Sequence, residues 1–435
     1  MNFIQELKWR GMIHDIMPKT EEFIKENKIS GYIGFDPTSD SLHIGSLVQI
    51  MTLVLFQKHG HKPYVLVGGA TGMVGDPSGK SKERNLLDEK ELNKNITAIQ
   101  KQLSKFLVFD DSKNSAVIVN NNDWFKNFSF LDFIRDVGKH ITVNYMMSKD
   151  SVKKRLETGI SFTEFSYQLV QGYDFYWLYK NHNCLLQLGG SDQWGNIVTG
   201  TELIRRIDGG SAFAITTPLV QKADGTKFGK TESGNIWLDA KKTSPYKFYQ
   251  YWINSSDSDA ENYIKIFTRY DKEKIEYLIT EHKTNPGFRI LQNTLAKDIT
   301  TMIHGEDQYL AAKEASSILF KKGNDAVIAL KSLSKDVFLE IFEGVPQSEI
   351  NKDEVVKGMP IINALVESSG FLKSNGEARR AIGENSISLN KSKVDLDTII
   401  TKDDLIDDKY LLLQRGKKNY FIMKLIKTKI LIDKY

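Results

Sequence analysis

The chain has 435 residues, enough for two or three domains. Its 40% hydrophobic and 26% charged residues exclude a disordered or fibrous chain, and the single cysteine, Cys184, excludes an internal disulfide or a thiolate-rich zinc site. The 59 Lys and Arg against 55 Asp and Glu leave only +4, but from Phe371 onward 14 basic and 9 acidic residues leave +5, a candidate nucleic-acid footprint on a near-neutral body.

No run approaches the roughly 18 apolar residues of a membrane span. Glu6, Lys8 and Arg10 interrupt the first apolar stretch, so no signal peptide is read there and a soluble, cytoplasmic protein is expected. The scattered histidines give no expectation of a metal site.

In chain order, the first half alternates short apolar strands with helices, the pattern of a parallel sheet with crossovers. Residues 32–35 read as a strand, 47–57 as an apolar helix closed by Gly60, and 63–67 as the next strand. Residues 184–188 and 213–217 are two more buried strands, the first running into Gly189 and Gly190. A polar and aromatic insertion is expected at about 110–159. The pattern turns helical from about 244 to 320, a charged connecting segment follows over 321–358, and a small final domain occupies 359–435.

Five segments carry candidate chemistry. The run from Asp36 to Ser46 leaves the first strand through Pro37 and turn formers, and places His43 and Gly45 where a helix begins. Unpaired N–H groups and the positive dipole end suit a phosphate there. The run from Gly68 to Ser81 ends in Gly-Lys-Ser but has Val74 where a P-loop needs glycine, so a P-loop NTPase is excluded. Its five glycines, with Asp76, Lys80 and Arg84, read instead as a backbone-exposing loop at the carboxyl end of a strand. Ser161-Phe162-Thr163-Glu164 reads as a capping box opening a helix on which Tyr167, Gln171 and Asp174 share one face. That polar stripe among apolar flanks wants water or a polar ligand. Gly189-Gly190-Ser191-Asp192-Gln193 puts polar side chains at the lip of the sheet, and Lys227-Phe228-Gly229-Lys230-Thr231 can deliver two ammonium groups to a polyphosphate.

Together these segments resemble one family. His43-Ile44-Gly45 and Lys227-Phe228-Gly229-Lys230-Thr231 resemble the HIGH and KMSKS signatures of class I aminoacyl-tRNA synthetases. With the Tyr167/Gln171/Asp174 helix and the Gly-Gly-Ser-Asp-Gln-Trp-Gly-Asn run, they look like the bacterial tyrosyl-tRNA synthetases.

The resemblance implies an α/β fold: a Rossmann-type parallel-sheet catalytic domain over 1–243, a helical domain over 244–320, a linker over 321–358 and a small α+β RNA-binding domain over 359–435. That last domain resembles the module of ribosomal small-subunit protein four, with Arg379 and Arg380 as RNA contacts. It implies tyrosine activation by ATP and transfer to tRNA, with magnesium travelling on ATP, and a homodimer joined through the insertion. Tyr32 and Asp174 would bind the phenolic hydroxyl, and Tyr167, Gln171 and Asp76 the ammonium, with Gln193 near the carboxylate. Gly34, Asp36, Thr38, His43, Gly45, Ser46, Asp192 and Lys230 would bind ATP. His43, Lys80, Arg84, Lys227, Lys230 and Thr231 would stabilise the departing pyrophosphate.

Ser46 stands where the family usually has a second histidine. The Tyr32/Asp174 pair favours a phenol over the indole of the tryptophan-specific relatives. A site built to pair a hydroxyl rejects the analogue lacking it by about 10⁵, the figure known for this family. A catalytically silent RNA-binding relative would not need His43, Asp192, Lys227 and Lys230 together.

Overall fold

The computed structural model describes the whole chain except residues 79–86, 157–158, 232–233, 319–320, 322, 417–418 and 427–435. Lys80 and Arg84 lie outside the described residues. The chain divides into two compact units. One comprises Met1–Ser244 with Trp252–Ile299, the other Pro245–Tyr251 with Thr300–Tyr435.

The first unit is built on a six-stranded sheet of β1 (Asp15–Ile16), β2 (Ser30–Phe35), β3 (Lys62–Val67), β4 (Val117–Asn120), β5 (Cys184–Gly190) and β6 (Phe213–Thr217). Their order is β1-β6-β5-β2-β3-β4. All neighbours are parallel except β1, which lies antiparallel on β6, so the sheet is mixed at one edge. The expected insertion supplies β4, the opposite edge strand, as well as helices. A four-residue strand with the half-buried pattern Val-Ile-Val-Asn is too short to stand out in an aromatic-rich stretch.

From β2 the chain builds outward through β3 and β4, whereas β5 lies on the other side of β2 and leads to β6. The crevice outside the carboxyl ends of β2 and β5 is therefore the switch point where α/β sheets bind ligands. The apolar helix Leu47–Lys58 packs on the sheet so closely that a Cβ on Gly31 would lie 2.9 Å from Phe56 Cζ.

Two helices frame the crevice. Phe162–His182 is opened by Ser161, whose side chain accepts from the Glu164 N–H, and is ended by Asn183 in the left-handed conformation. The expected capping box is only half made. The Glu164 carboxylate turns to Arg155 instead, in a buried bidentate pair at 2.8–2.9 Å. The second helix, Trp194–Asp208, crosses the first at Gly172 and Gly200. A Cβ on Gly172 would meet Gly200 N at 3.3 Å, and one on Gly200 would meet Phe175 Cβ at 2.8 Å. This crossing fixes the height of Tyr167 and Asp174 above the sheet.

His59 and His61 are spaced as an H-x-H pair but serve different partners. His59 Nε2 meets Glu6 Oε2 at 2.6 Å, while His61 Nδ1 accepts from the Ile29 N–H at 3.3 Å and its ring stacks on Phe56. Beyond β6, β7 (Lys230–Thr231) and β8 (Gly234–Asn235) form a short antiparallel ladder.

In the second unit, β9 (Gln347–Asn351), β11 (Ile387–Leu389), β12 (Ser392–Lys393), β14 (Tyr410–Arg415) and β15 (Asn419–Ile426) form a sheet of order β12-β11-β14-β15-β9. Strands β10 (Met359–Pro360) and β13 (Ile399–Ile400) pair separately. The expected connecting segment is ordered structure: it holds the helices Gly323–Lys331 and Lys335–Ile341 and β9, which runs parallel to β15.

Along β14, Leu411 and Leu413 face one core with Leu365, Ala378, Ile382 and Met423. Tyr410 and Leu412 face the other core, with Leu330, Phe338 and Phe342. A sheet covered on both faces needs the second layer that residues 318–342 supply. The helix Asn375–Gly383 buries Ala378, Ala381 and Ile382 and leaves Arg379 and Arg380 exposed.

Candidate active site

The crevice is lined from the carboxyl ends of four parallel strands. β2 carries Tyr32, with only 1% of its surface exposed and its hydroxyl buried without a hydrogen-bond partner. Burial, and then the charge of Asp174, push that phenol well above its ordinary value, so the hydroxyl keeps its proton. Asp174 is equally buried. Its Oδ2 accepts from Asn121 Nδ2 at 3.1 Å and its Oδ1 from Trp124 Nε1 at 2.9 Å. Burial drives the Asp174 carboxyl well above the usual range, and the two donors oppose that shift. A buried carboxyl with two fixed donors beside an unpartnered hydroxyl is a socket for one more hydroxyl.

Asn121 and Trp124 did not stand out in the sequence. The signal was present: Asn121 follows the end of a parallel strand, as Asp36 and Asp192 do, but that strand lay hidden in the expected insertion. Asn121 is a hub. It also donates to Thr71 Oγ1 at 3.1 Å and accepts from the Ala70 N–H at 2.6 Å, tying the glycine-rich segment to the site. That segment is not all loop, since Thr71–Val74 makes one helical turn.

A second cluster is acidic. Tyr167 donates to Asp36 Oδ2 at 2.8 Å, and Thr71 donates to Asp36 Oδ1 at 2.7 Å. Burial, then the charges of Asp36 and Asp76, raise the Tyr167 phenol well above its ordinary value. Because its proton goes to Asp36, the Tyr167 oxygen is left to accept from a ligand. The structure thus brings Asp36, expected among the ATP residues, to the Tyr167 side. Asp76 accepts from Gln193 Nε2 at 2.7 Å and from the Ser78 N–H at 2.9 Å, and Asn196 reaches the same carboxylate at 3.4 Å. Gln193 also donates to Asp192 at 3.3 Å. The Gln171 Oε1 is buried without a hydrogen-bond partner. Several acceptors gathered beside one another suit an ammonium group.

The third cluster joins the two signature-like segments. His43 precedes the 3₁₀ turn Ile44–Ser46, and its Nδ1 accepts from the Gly45 N–H at 3.0 Å. The neutral ring therefore carries its proton on Nε2. A Cβ on Gly45 would lie 2.7 Å from His43 Cε1, so the ring position itself requires glycine. Gly34 is exposed, and a Cβ there would meet only Leu66 Cδ2 at 3.7 Å, so β2 offers open backbone. Thr38 is exposed and Ser46 partly so, with no side-chain cap bond from Ser46 to the helix it precedes. Lys227 and Lys230 are exposed on a turn anchored by Phe228, which stacks on Phe267 at 5.1 Å and meets Tyr263 edge-on. Thr231 pairs through its backbone with Gly234.

Among the described residues, no three His, Cys, Asp or Glu side chains gather to hold a metal ion, and no helix is long and apolar enough to cross a membrane.

The sequence and the fold match known proteins. Residues 25–321 match the family of tRNA synthetases class I (W and Y), and residues 338–423 match the tyrosine–tRNA ligase SYY-like C-terminal domain. The chain thus belongs to the class I tRNA synthetases, and within them to the tyrosyl-tRNA synthetases. It is 60% identical to a tyrosine–tRNA ligase of Flavobacterium psychrophilum, covering 97% of this chain and 99% of that one. It is 59% identical to one of Bacteroides fragilis, again over 97% and 99%. Among solved structures, a C-terminally truncated mitochondrial tyrosyl-tRNA synthetase of Aspergillus nidulans superposes with a TM-score of 0.66. That pair shares 31% identity over 73% of this chain and 94% of the other.

Proposed function

We propose that this crevice activates tyrosine with ATP and that the enzyme then passes tyrosine to its tRNA. The chain is an aminoacyl-tRNA ligase of the tyrosine-specific kind. The observation that carries the substrate assignment is the unpartnered Tyr32 hydroxyl beside the Asp174 carboxyl. The substrate phenol donates to Asp174 and accepts from Tyr32. Its ammonium lies among the Tyr167 oxygen, Gln171 and Asp76, and Gln193 lies toward its carboxylate.

The tyrosine carboxylate oxygen attacks the α-phosphorus of ATP. One P–O bond forms, the bond to pyrophosphate breaks, and no proton needs to move. The chain's part is therefore orientation and charge stabilisation. His43 Nε2–H and Thr38 bind phosphate oxygens, with Gly45 and Gly34 leaving space for the nucleotide and Asp192 on its ribose. Lys227, Lys230 and Thr231, with Lys80 and Arg84, stabilise the departing pyrophosphate. In the second step a terminal ribose hydroxyl of tRNA attacks the tyrosyl carbonyl, the bond to the adenylate phosphate breaks, and AMP leaves as its phosphate takes up the hydroxyl proton. Magnesium enters as the counter-ion of ATP, and no protein ligand is assigned to it.

We assign tRNA contact to residues 359–435, with Arg379 and Arg380 exposed for it. We infer a cytoplasmic homodimer joined through residues 110–159. In support, Phe130, Leu131, Ile134 and Val143 are exposed apolar side chains within that segment, Leu131 at 76%.

Amino-acid-dependent ATP–pyrophosphate exchange, with each of the twenty amino acids and without tRNA, tests the first step. Exchange with tyrosine alone is expected. Exchange with tryptophan would overturn the pocket, and none at all would leave only the RNA-binding role.

A further inference from the structure

The strand after the lysine turn runs directly onto the histidine segment. Trp237 pairs with His43 as an antiparallel bridge. Flanking it, the Ile44 N–H donates to Ile236 O and the Leu238 N–H to Leu42 O, both at 2.9 Å. The Ile236 N–H donates in turn to Gly229 O at 3.0 Å. Gly229 has φ +79°, and a Cβ there would lie 2.9 Å from Ile44 Cγ1, so the lysine turn rests against the histidine segment.

The side chains repeat this link. The Trp237 indole meets the His43 ring edge-on, with centroids 6.1 Å apart and planes at 76°. The Lys242 ammonium sits 4.7 Å from the Trp237 ring centroid. It also donates to Ser39 Oγ at 2.9 Å and pairs with Asp40, which binds Lys94 as well, at 3.2 Å. Trp237 is thereby held by the loop that follows β2.

We propose that Trp237, braced by Lys242, is a positioning residue: it fixes the His43 ring and couples it to the Lys227–Thr231 turn. The inference rests on the phosphate-binding role given to His43 above. The physical reason is ring rotation. His43 can offer Nε2–H to a phosphate only while Nδ1 faces the Gly45 N–H. A half-turn of the imidazole would put Cδ2 where Nδ1 now faces the Gly45 N–H and Cε1 where Nε2 now points, and the indole packed edge-on with the ring opposes it. The backbone pairing carries the same constraint to the lysines, so the phosphate donors on both segments move together.

The test is single-turnover tyrosyl-adenylate formation in a double-mutant cycle. Trp237→Leu is expected to slow the step about 2- to 13-fold, the range an edge-to-face pair supports, without changing tyrosine affinity. In the His43→Ala background the same change should cost less than about twofold, because there is no ring left to position. Lys242→Met should show a smaller loss, again absent in that background, and Lys242→Arg should restore the rate. Losses that multiply in full across the cycle would overturn the proposal, as would a wild-type rate for Trp237→Leu. If Trp237→Leu does not fold, Lys242→Met, at a side chain 33% exposed, decides by the same additivity. A wild-type rate for His43→Ala itself would instead sink the role of His43.

Discussion

Replacing Trp124 with phenylalanine isolates one hydrogen bond to the substrate-binding carboxyl. Trp124 Nε1 donates to Asp174 Oδ1 at 2.9 Å, and its ring stacks on Trp177 with centroids 4.1 Å apart and planes at 13°. Phenylalanine keeps an aromatic ring against Trp177 and removes only the donor. A hydrogen bond to a charged acceptor contributes about 1.5–3 kcal/mol, which corresponds to roughly a 12- to 150-fold effect.

The sign follows from the causes of the Asp174 shift. Burial raises its carboxyl, while Asn121 and Trp124 pull it down. Losing Trp124 raises it further, so at neutral pH less of it is ionised to accept the substrate phenol. Tyrosine KM in pyrophosphate exchange should therefore rise by a factor within that range, with ATP KM unchanged. The defect should shrink as pH rises, because a raised carboxyl ionises more fully at higher pH, and a pH profile of tyrosine KM reads it directly. An unchanged tyrosine KM with an unshifted acid limb would refute the assignment of Trp124 to the Asp174 carboxylate.

Ser46→His adds a ring that can be cationic at the start of the Leu47–Lys58 helix and should change the ATP constants; identical constants would remove Ser46 from the nucleotide site. Burial, then the charges of Lys28 and His59, lower the His61 imidazole to about 4, so the folded state resists its protonation. The unfolded state takes up that proton near pH 6.5, so about 2–3 kcal/mol of stability, complete above that pH, should be lost between pH 6.5 and pH 4. Urea titrations across that window should show the loss, and His61→Gln, whose amide oxygen can still accept from the Ile29 N–H, should flatten it. Arg379→Ala with Arg380→Ala should weaken tRNA binding and reduce the salt slope by about 2, leaving tRNA-independent pyrophosphate exchange intact; an unchanged slope places the RNA elsewhere.

Much of this architecture was legible because the central strands are continuous apolar runs ending in glycine and acidic residues, as at Phe35-Asp36 and Gly189-Gly190. Such strands are buried on both faces and need no alternation to be read. The elements that escaped notice lack that signature. β1 has two residues and β4 four, too few for periodicity to register. Residues 321–358 were obscure for another reason. Their apolar side chains pack onto β14, far along the chain, so the face they bury is fixed by tertiary partners rather than local rhythm.

The same distinction separates the site residues that the sequence offered from those it withheld. Residues that would touch ligand sit in short polar runs against an apolar background, as Tyr167, Gln171 and Asp174 do. Residues that hold them, Asn121, Trp124 and Trp237, look like ordinary surface or core positions until the fold brings them to a carboxylate or an imidazole. Their importance follows from the chemistry proposed here. In the activation step the substrate carboxylate is already a nucleophile, so that step gains no rate from a tuned acid or base. Rate and selectivity then depend on how firmly a few donors and acceptors are aimed. Asp174 without its two donors is a buried carboxyl that neutralises itself, and His43 without its indole is a ring free to turn its proton away. In such a site the positioning residues carry selectivity as directly as those that touch the substrate.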